Sequence, residues 1–186
     1  MSFARTTPAP VYRPAARALH WLTALLVLAT IPAGVIMLQE GLPRSVQNTL
    51  FTFHKNIGPL ILLLVLVRIG FRLANPPPPL PASVPVLQAR IAGAVHLLLY
   101  LFLIVMAVSG YIRVVAGGFP LEVWDAIGVP RLLEKSETLA AQAKQIHATA
   151  RYALVPLILA HVGGALYHAV ILKDGVLRRM WPGRSA

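Results

Sequence analysis

The sequence predicts an all-α fold, an integral membrane four-helix bundle with both termini on the cytoplasmic side. Three observations carry this expectation. Of 186 residues, 57% are hydrophobic and only 12% charged, with a mean hydropathy of +0.70; a soluble domain carries about 25% charged residues. Three stretches (residues 18–39, 91–112 and 152–172) hold no charge at all, and each reaches the roughly 20 residues needed to cross a hydrocarbon core. The charge balance is 17 basic against 6 acidic residues, the excess that cytoplasmic flanks of membrane helices collect. A nucleic-acid binder would share the charge but not the apolar sequence. The expected partner is therefore the lipid bilayer, and no nucleic acid.

The whole chain, 1–186, reads as one domain with helices over about 14–39, 45–73, 88–115 and 143–173. In the first, Pro14 suits a helix N-terminus and Trp21 a membrane interface. Arg5, Arg13 and Arg17 precede it as in a signal peptide. The apolar run is too long for one, however, and no small-x-small cleavage site follows, so the helix is read as retained. The second span, Ser45 to Val67, holds one charge, Lys55, near its start, where a lysine snorkels to the interface. The third lies between Arg90 and Arg113 and the fourth between Arg151 and Lys173. Pro32, Pro59 and Pro156 fall inside spans, where neighbouring helices satisfy the freed carbonyls. Residues 75–86 form a stiff, proline-rich cytoplasmic link. Residues 116–142 form the long outer loop, opening at Gly117-Gly118 and carrying Trp124, with a short surface helix expected from Arg131 to Ala143.

Four spans return the chain to its starting side. That side carries Arg5, Arg13, Arg17, Arg68, Arg72, Arg90, Lys173, Arg178, Arg179 and Arg184, opposed only by Asp174. The other carries Arg44, Lys55, Arg113, Arg131, Lys135, Lys144 and Arg151 together with the remaining five acids. The basic excess makes the termini cytoplasmic.

There is no cysteine, which excludes disulfides, thiolate zinc sites, iron–sulfur clusters and cysteine nucleophiles. Six histidines remain, in or near the spans: His20, His54, His96, His147, His161 and His168. An ionisable group inside a membrane is a functional hypothesis by default. A proton or cation transporter would need buried carboxylates, which the spans lack, and a zinc or di-iron site would need cysteine or carboxylate ligands. Imidazole alone in an apolar bundle fits haem iron best. His147 and His161 are 14 residues apart, about 21 Å along a helix and roughly 40° apart in direction. They share a face near opposite leaflets, as two stacked haems require. His54, near the start of the second helix, lies level with His147. The inner level holds His20, His96, His161 and His168, so the inner pair stays open on spacing alone.

At this point the chain resembles the bacterial cytochrome b561 family of four-helix di-haem b cytochromes. The resemblance rests on Leu19-His20-Trp21, His54, the proline-rich link, His96-Leu97 with Tyr100, then His147, His161 and His168. Lys173-Asp174-Gly175 and Leu177-Arg178-Arg179-Met180-Trp181-Pro182 complete it. It implies two haem b groups, the inner iron held by His20 and His161 and the outer by His54 and His147. Within the family the chain is similar to the short form that passes electrons from periplasmic superoxide to ubiquinone across the inner membrane. Other members are haem-bearing anchor subunits that accept electrons from a docked dehydrogenase or hydrogenase, and a protein donor is the alternative reading.

The remaining polar residues receive roles by position. Lys55 and Arg151 stand at the outer haem edge, for its propionates or for drawing in superoxide, with Arg44, Arg113 and Lys144 adding to the cationic rim. Arg68, 14 residues after His54 on the matching face, is expected at the inner haem. His96 and His168 are left over on the inner side, where an imidazole can deliver a proton to a quinone. Gly34, Gly58, Gly93, Gly163 and Gly164 stand where porphyrin can approach backbone or helices can pack.

Overall fold

The computed structural model describes residues 11–81 and 83–182; Arg5 and Arg184, counted above for orientation, lie outside them. The fold is all-helical. Four helices are long and apolar enough to cross a membrane: α1 (Pro14–Ile36), α2 (Arg44–Ala74), α3 (Val86–Ala116) and α5 (Glu137–Tyr167). A single short helix, α4 (Glu122–Ala126), lies in the loop between α3 and α5. Beyond α5 the chain continues as a π-helical turn, His168–Leu172, and then a 3-10 turn, Leu177–Met180.

The long helices start where the sequence offers no alternative. Pro14 opens α1, and Pro43 and Pro85 immediately precede α2 and α3, because proline needs no intrahelical donor there. Ser136 caps α5, its hydroxyl oxygen accepting the Leu139 N–H at 3.3 Å, so that helix starts at Glu137, earlier than hydropathy alone places it. The short surface helix lies upstream of the expected 131–143 segment, at Glu122–Ala126, and residues from Glu137 onward belong to α5.

Packing is uneven, and this matters for function. α1 packs along α2, α2 along α3, and α3 along α5. The α3–α5 seam is built from small side chains, Ala107, Ser109, Ala116, Ala143 and Ala150, all buried, which let backbones approach closely. By contrast, α5 makes no extended close backbone approach to α1 or α2. α5 therefore stands farther from α1 and α2 than from α3 and meets them through side chains. Val27, Ile61 and Val65 form a packed core, with Leu103, Ile104 and Ile158 against them. Many large apolar side chains, such as Leu25, Leu66, Leu97 and Leu159, face outward. An exposed leucine face over four spans is what lipid covers.

At the terminus end, the chain after α5 folds back and ties the link to α1. Arg179 is buried (3% exposed) and donates to the carbonyls of Pro78 and Pro79, both at 2.8 Å. Trp21 Nε1 donates to Met180 O at 2.7 Å, Arg17 to Trp181 O at 3.2 Å, and the Tyr12 N–H to Arg179 O at 3.2 Å. Of the link's proline carbonyls, Pro81 O accepts the Val84 N–H at 3.0 Å, while those of Pro78 and Pro79 are taken by the guanidinium, which thereby fixes the path of the link. Hydrogen bonds to a charged group are worth about 1.5–3 kcal/mol each. Arg179→Ala is therefore expected to lower the thermal midpoint of the detergent-solubilised protein by several degrees. The same change at Arg178, which is exposed, should leave it unmoved.

Candidate haem-binding histidine pairs

Between α5 and the α1–α2 pair, imidazoles face one another at two levels. At the loop end, His54 of α2 and His147 of α5 have ring centroids 6.1 Å apart, at 83°. At the terminus end, His20 of α1 and His161 of α5 are 6.0 Å apart, at 70°. Two imidazoles sharing one metal ion through bonds of about 2 Å have centroids roughly this far apart. Haem fits on a second count. Both pairs join α5 to α1 or α2, the helices it does not approach closely along the backbone, and a flat macrocycle needs such a spacing. No cluster of three or more potential ligands exists among the described residues, so neither level resembles a zinc or di-iron centre.

The loop-end pair is held in one tautomer. His54 Nδ1 lies 3.0 Å from Thr30 O, and His147 Nδ1 lies 2.9 Å from Met106 O. A carbonyl only accepts, so both Nδ1 atoms carry the hydrogen and both Nε2 lone pairs are free for a metal. Two glycines make room for these rings. An alanine methyl at Gly34 would sit 2.6 Å from His54 Cε1, and one at Gly110 3.1 Å from His147 Cε1. Gly34 thus seats an imidazole, whereas methyls at Gly58, Gly93, Gly163 and Gly164 would meet open space. The second pair of these lies beside His161 on α5. Thr30, Met106, Ser109 (3.3 Å from His147 Nδ1) and Gly110 were not legible as site residues. A backbone carbonyl leaves no mark in sequence.

The terminus-end group is looser. The Arg68 guanidinium donates to His20 Nδ1 at 3.1 Å and stacks 5.4 Å from the Tyr100 ring centre. His96 of α3 meets His161 at 5.1 Å, 73°, an edge-to-face ring contact. His168 stands apart from these rings and bonds Asp174 instead.

A polar clamp closes the loop end. Lys55 Nζ pairs with Glu122 Oε1 at 2.5 Å. Buried Asn56 donates to Glu122 Oε2 at 2.7 Å and to Thr52 O at 2.7 Å, and accepts the Val123 N–H at 3.0 Å. Its own carbonyl takes the Trp124 indole at 2.8 Å. The residues after His54 thus pin α4 over the pair. Arg151 donates to the neighbouring Tyr152 hydroxyl at 2.9 Å. Arg113 is an electrostatic neighbour of both loop-end rings, and Arg151 of His147. Burial alone would push the Glu122 carboxyl up, but hydrogen bonds from Lys55 and Asn56 outweigh it and hold it below the usual range. A depressed folded value means the contact is fully formed above the ordinary carboxylate range and is lost as pH falls through the folded value. Amide protection over residues 119–129, taken as exchange relative to the intrinsic rate at each pH, is expected to be high at pH 7, lower in acid, and low at both in Glu122→Gln.

Apolar spans carrying imidazole pairs at two levels define a class, the membrane haem electron carriers. Residues 11–183 match the family model described as prokaryotic cytochrome b561, and the chain belongs to that family. Membership makes membrane electron transfer its role and haem b its cofactor. It is 33% identical over 181 residues to cytochrome b561 homolog 2 of Escherichia coli, covering 97% of this chain and 95% of the relative. Cytochrome b561 homolog 1 of that organism is 29% identical over 90% and 94% of the two chains. The probable superoxide oxidase CybB of Yersinia pestis is 31% identical over 88% and 92%.

The seating of the loop-end rings is testable through bound haem. Gly34→Ala and Gly110→Ala are expected to lower the haem-to-protein ratio of the purified protein. Gly70→Ala, where a methyl meets nothing within 4 Å, should leave it unchanged.

Proposed function

We propose that the chain is a di-haem b oxidoreductase of the bacterial inner membrane, termini cytoplasmic, moving electrons from periplasmic superoxide to ubiquinone. The observation that carries it is the pair of facing imidazole couples 6.0 and 6.1 Å apart at two levels. His54 and His147 would hold the outer haem, and His20 and His161 the inner. His161 meets His20 at a separation that admits a metal ion and meets His96 in direct ring contact, which favours His20 as its partner. Haem held between two such imidazoles would supply an iron centre suited to electron transfer rather than oxygen binding.

The chain's own residues would do the rest. Ligation through His20 Nε2 leaves Nδ1 protonated, and Arg68, which only donates, must then turn away. A haem propionate is the acceptor it would take. Lys55 spends its charge on Glu122, which leaves Arg113, Lys144 and Arg151, without ion pairs among the described residues, to draw in an anionic donor. Two superoxide ions lose one electron each and leave as dioxygen. Ubiquinone gains the two electrons and two protons to become ubiquinol. His168 and His96, on the inner side, would serve that protonation, and the relative named a probable superoxide oxidase supports this choice of donor.

Stopped-flow mixing of the purified protein with superoxide should reduce its haem within the dead time or shortly after, and added ubiquinone-1 should reoxidise it. Salt should slow the first step, since the attraction is screened beyond about 8 Å at physiological ionic strength. Haem that superoxide leaves oxidised would overturn the donor assignment. His54→Ala and His147→Ala should each lose one of two haems, and His20→Ala and His161→Ala the other. Retention of both haems in His161→Ala, with loss in His168→Ala, would reassign the inner ligand.

A further inference from the structure

Where α5 ends, three unusual features coincide. The helix widens into a π turn over His168–Leu172, a rare form that is frequent at functional sites. Lys173 then adopts φ 52°, the one positive φ at a non-glycine residue among those described, and reverses the chain. The reversal brings Asp174 back to His168, with Asp174 Oδ2 2.5 Å from His168 Nδ1. The two side chains are only 16% and 10% exposed. Asp174 is also the sole acid on its side of the sequence charge map. Its second oxygen accepts the Val176 N–H at 3.1 Å, so the carboxylate is gripped from both sides.

We propose that Asp174 is the positioning residue of a proton-delivery dyad with His168. The carboxylate accepts a hydrogen bond from Nδ1–H and fixes the ring, which in its doubly protonated form gives the Nε2 proton to the quinone oxygen and is left neutral. The inference rests on the reading of this end of the bundle as the quinone side. In the step, each of two electrons reaching the quinone is matched by one proton. His168 Nε2–H is broken as the quinone O–H forms, and the ring is reprotonated from the aqueous side after each transfer. The Asp174 carboxylate stays ionised throughout. Burial on its own would push that carboxyl up, but the bonds from His168 and the Val176 amide hold it below the ordinary carboxylate range, which suits an acceptor that keeps its charge. An aspartate behind an imidazole fixes tautomer and orientation in this way in acid–base sites generally.

The experiment uses the purified haem-loaded protein, reduced by an excess of donor and mixed with ubiquinone-1 in H2O and in D2O. Asp174→Asn is expected to keep haem content and the rate of reduction by the donor. Quinone-linked reoxidation at saturating quinone should fall by roughly 100-fold, the scale of a lost general acid, with KM within about twofold. Asp174→Glu should recover part of the rate, and D2O should slow both variants more than wild type. A change in KM alone, or equal loss in the Asn and Glu variants, makes the pair structural and overturns the proposal. So does haem loss in both variants. His168→Ala separates the two levels of the argument. If it leaves quinone turnover unchanged, the quinone-side reading falls with the dyad. If it slows turnover while Asp174→Asn does not, only the dyad falls.

Discussion

An imidazole placed in hydrocarbon must give its N–H to an acceptor, since an unsatisfied polar group there costs several kcal/mol. Much of this structure follows from that demand. The spans contain almost no carboxylates, so backbone carbonyls serve, and a carbonyl inside a helix is reachable only from a neighbouring helix packed very close. Thr30 O and Met106 O take the two loop-end hydrogens, and Gly34 and Gly110 supply the closeness. Satisfying Nδ1 in this way also decides which nitrogen is left to bind a metal. The solvation problem and the ligand geometry thus have one solution.

The two levels solve it differently. At the loop end the rings are locked by carbonyls and covered by α4, itself held by a fully satisfied Asn56. At the terminus end His20 shares its Nδ1 with Arg68, and His96 lies against His161. The second level is richer in groups that can change partner. Rings locked by carbonyls at one end and side chains shared between partners at the other set the two levels apart.

Uneven helix packing is the counterpart. Alanines and Ser109 draw α3 and α5 together, while α5 stands clear of α1 and α2. A bundle packed equally on all sides would bury its histidines but bring α5 as close to α1 and α2 as to α3. The tie of Arg179 to Pro78 and Pro79, with those of Arg17 and Trp21 to the chain after α5, joins the link and α1 at the terminus end.

The sequence by itself determined the four spans and the two histidine levels. Hydropathy sums over some 20 residues and helical rise are local quantities that no tertiary contact can override. Which of His161, His168 and His96 faces His20 lay beyond it, because depth is readable from spacing whereas the azimuth of one helix against another is set by packing. Lys55 illustrates the same limit: its charge was legible, its neutralisation by Glu122, 67 residues later, was not. Arg179 read as one more topological charge and is a buried strut. Asp174 read as a lone opposing acid, and only the π turn and the reversal at Lys173 bring it onto His168. Partners far apart in sequence are chosen by how helices pack, and only the folded bundle records that choice.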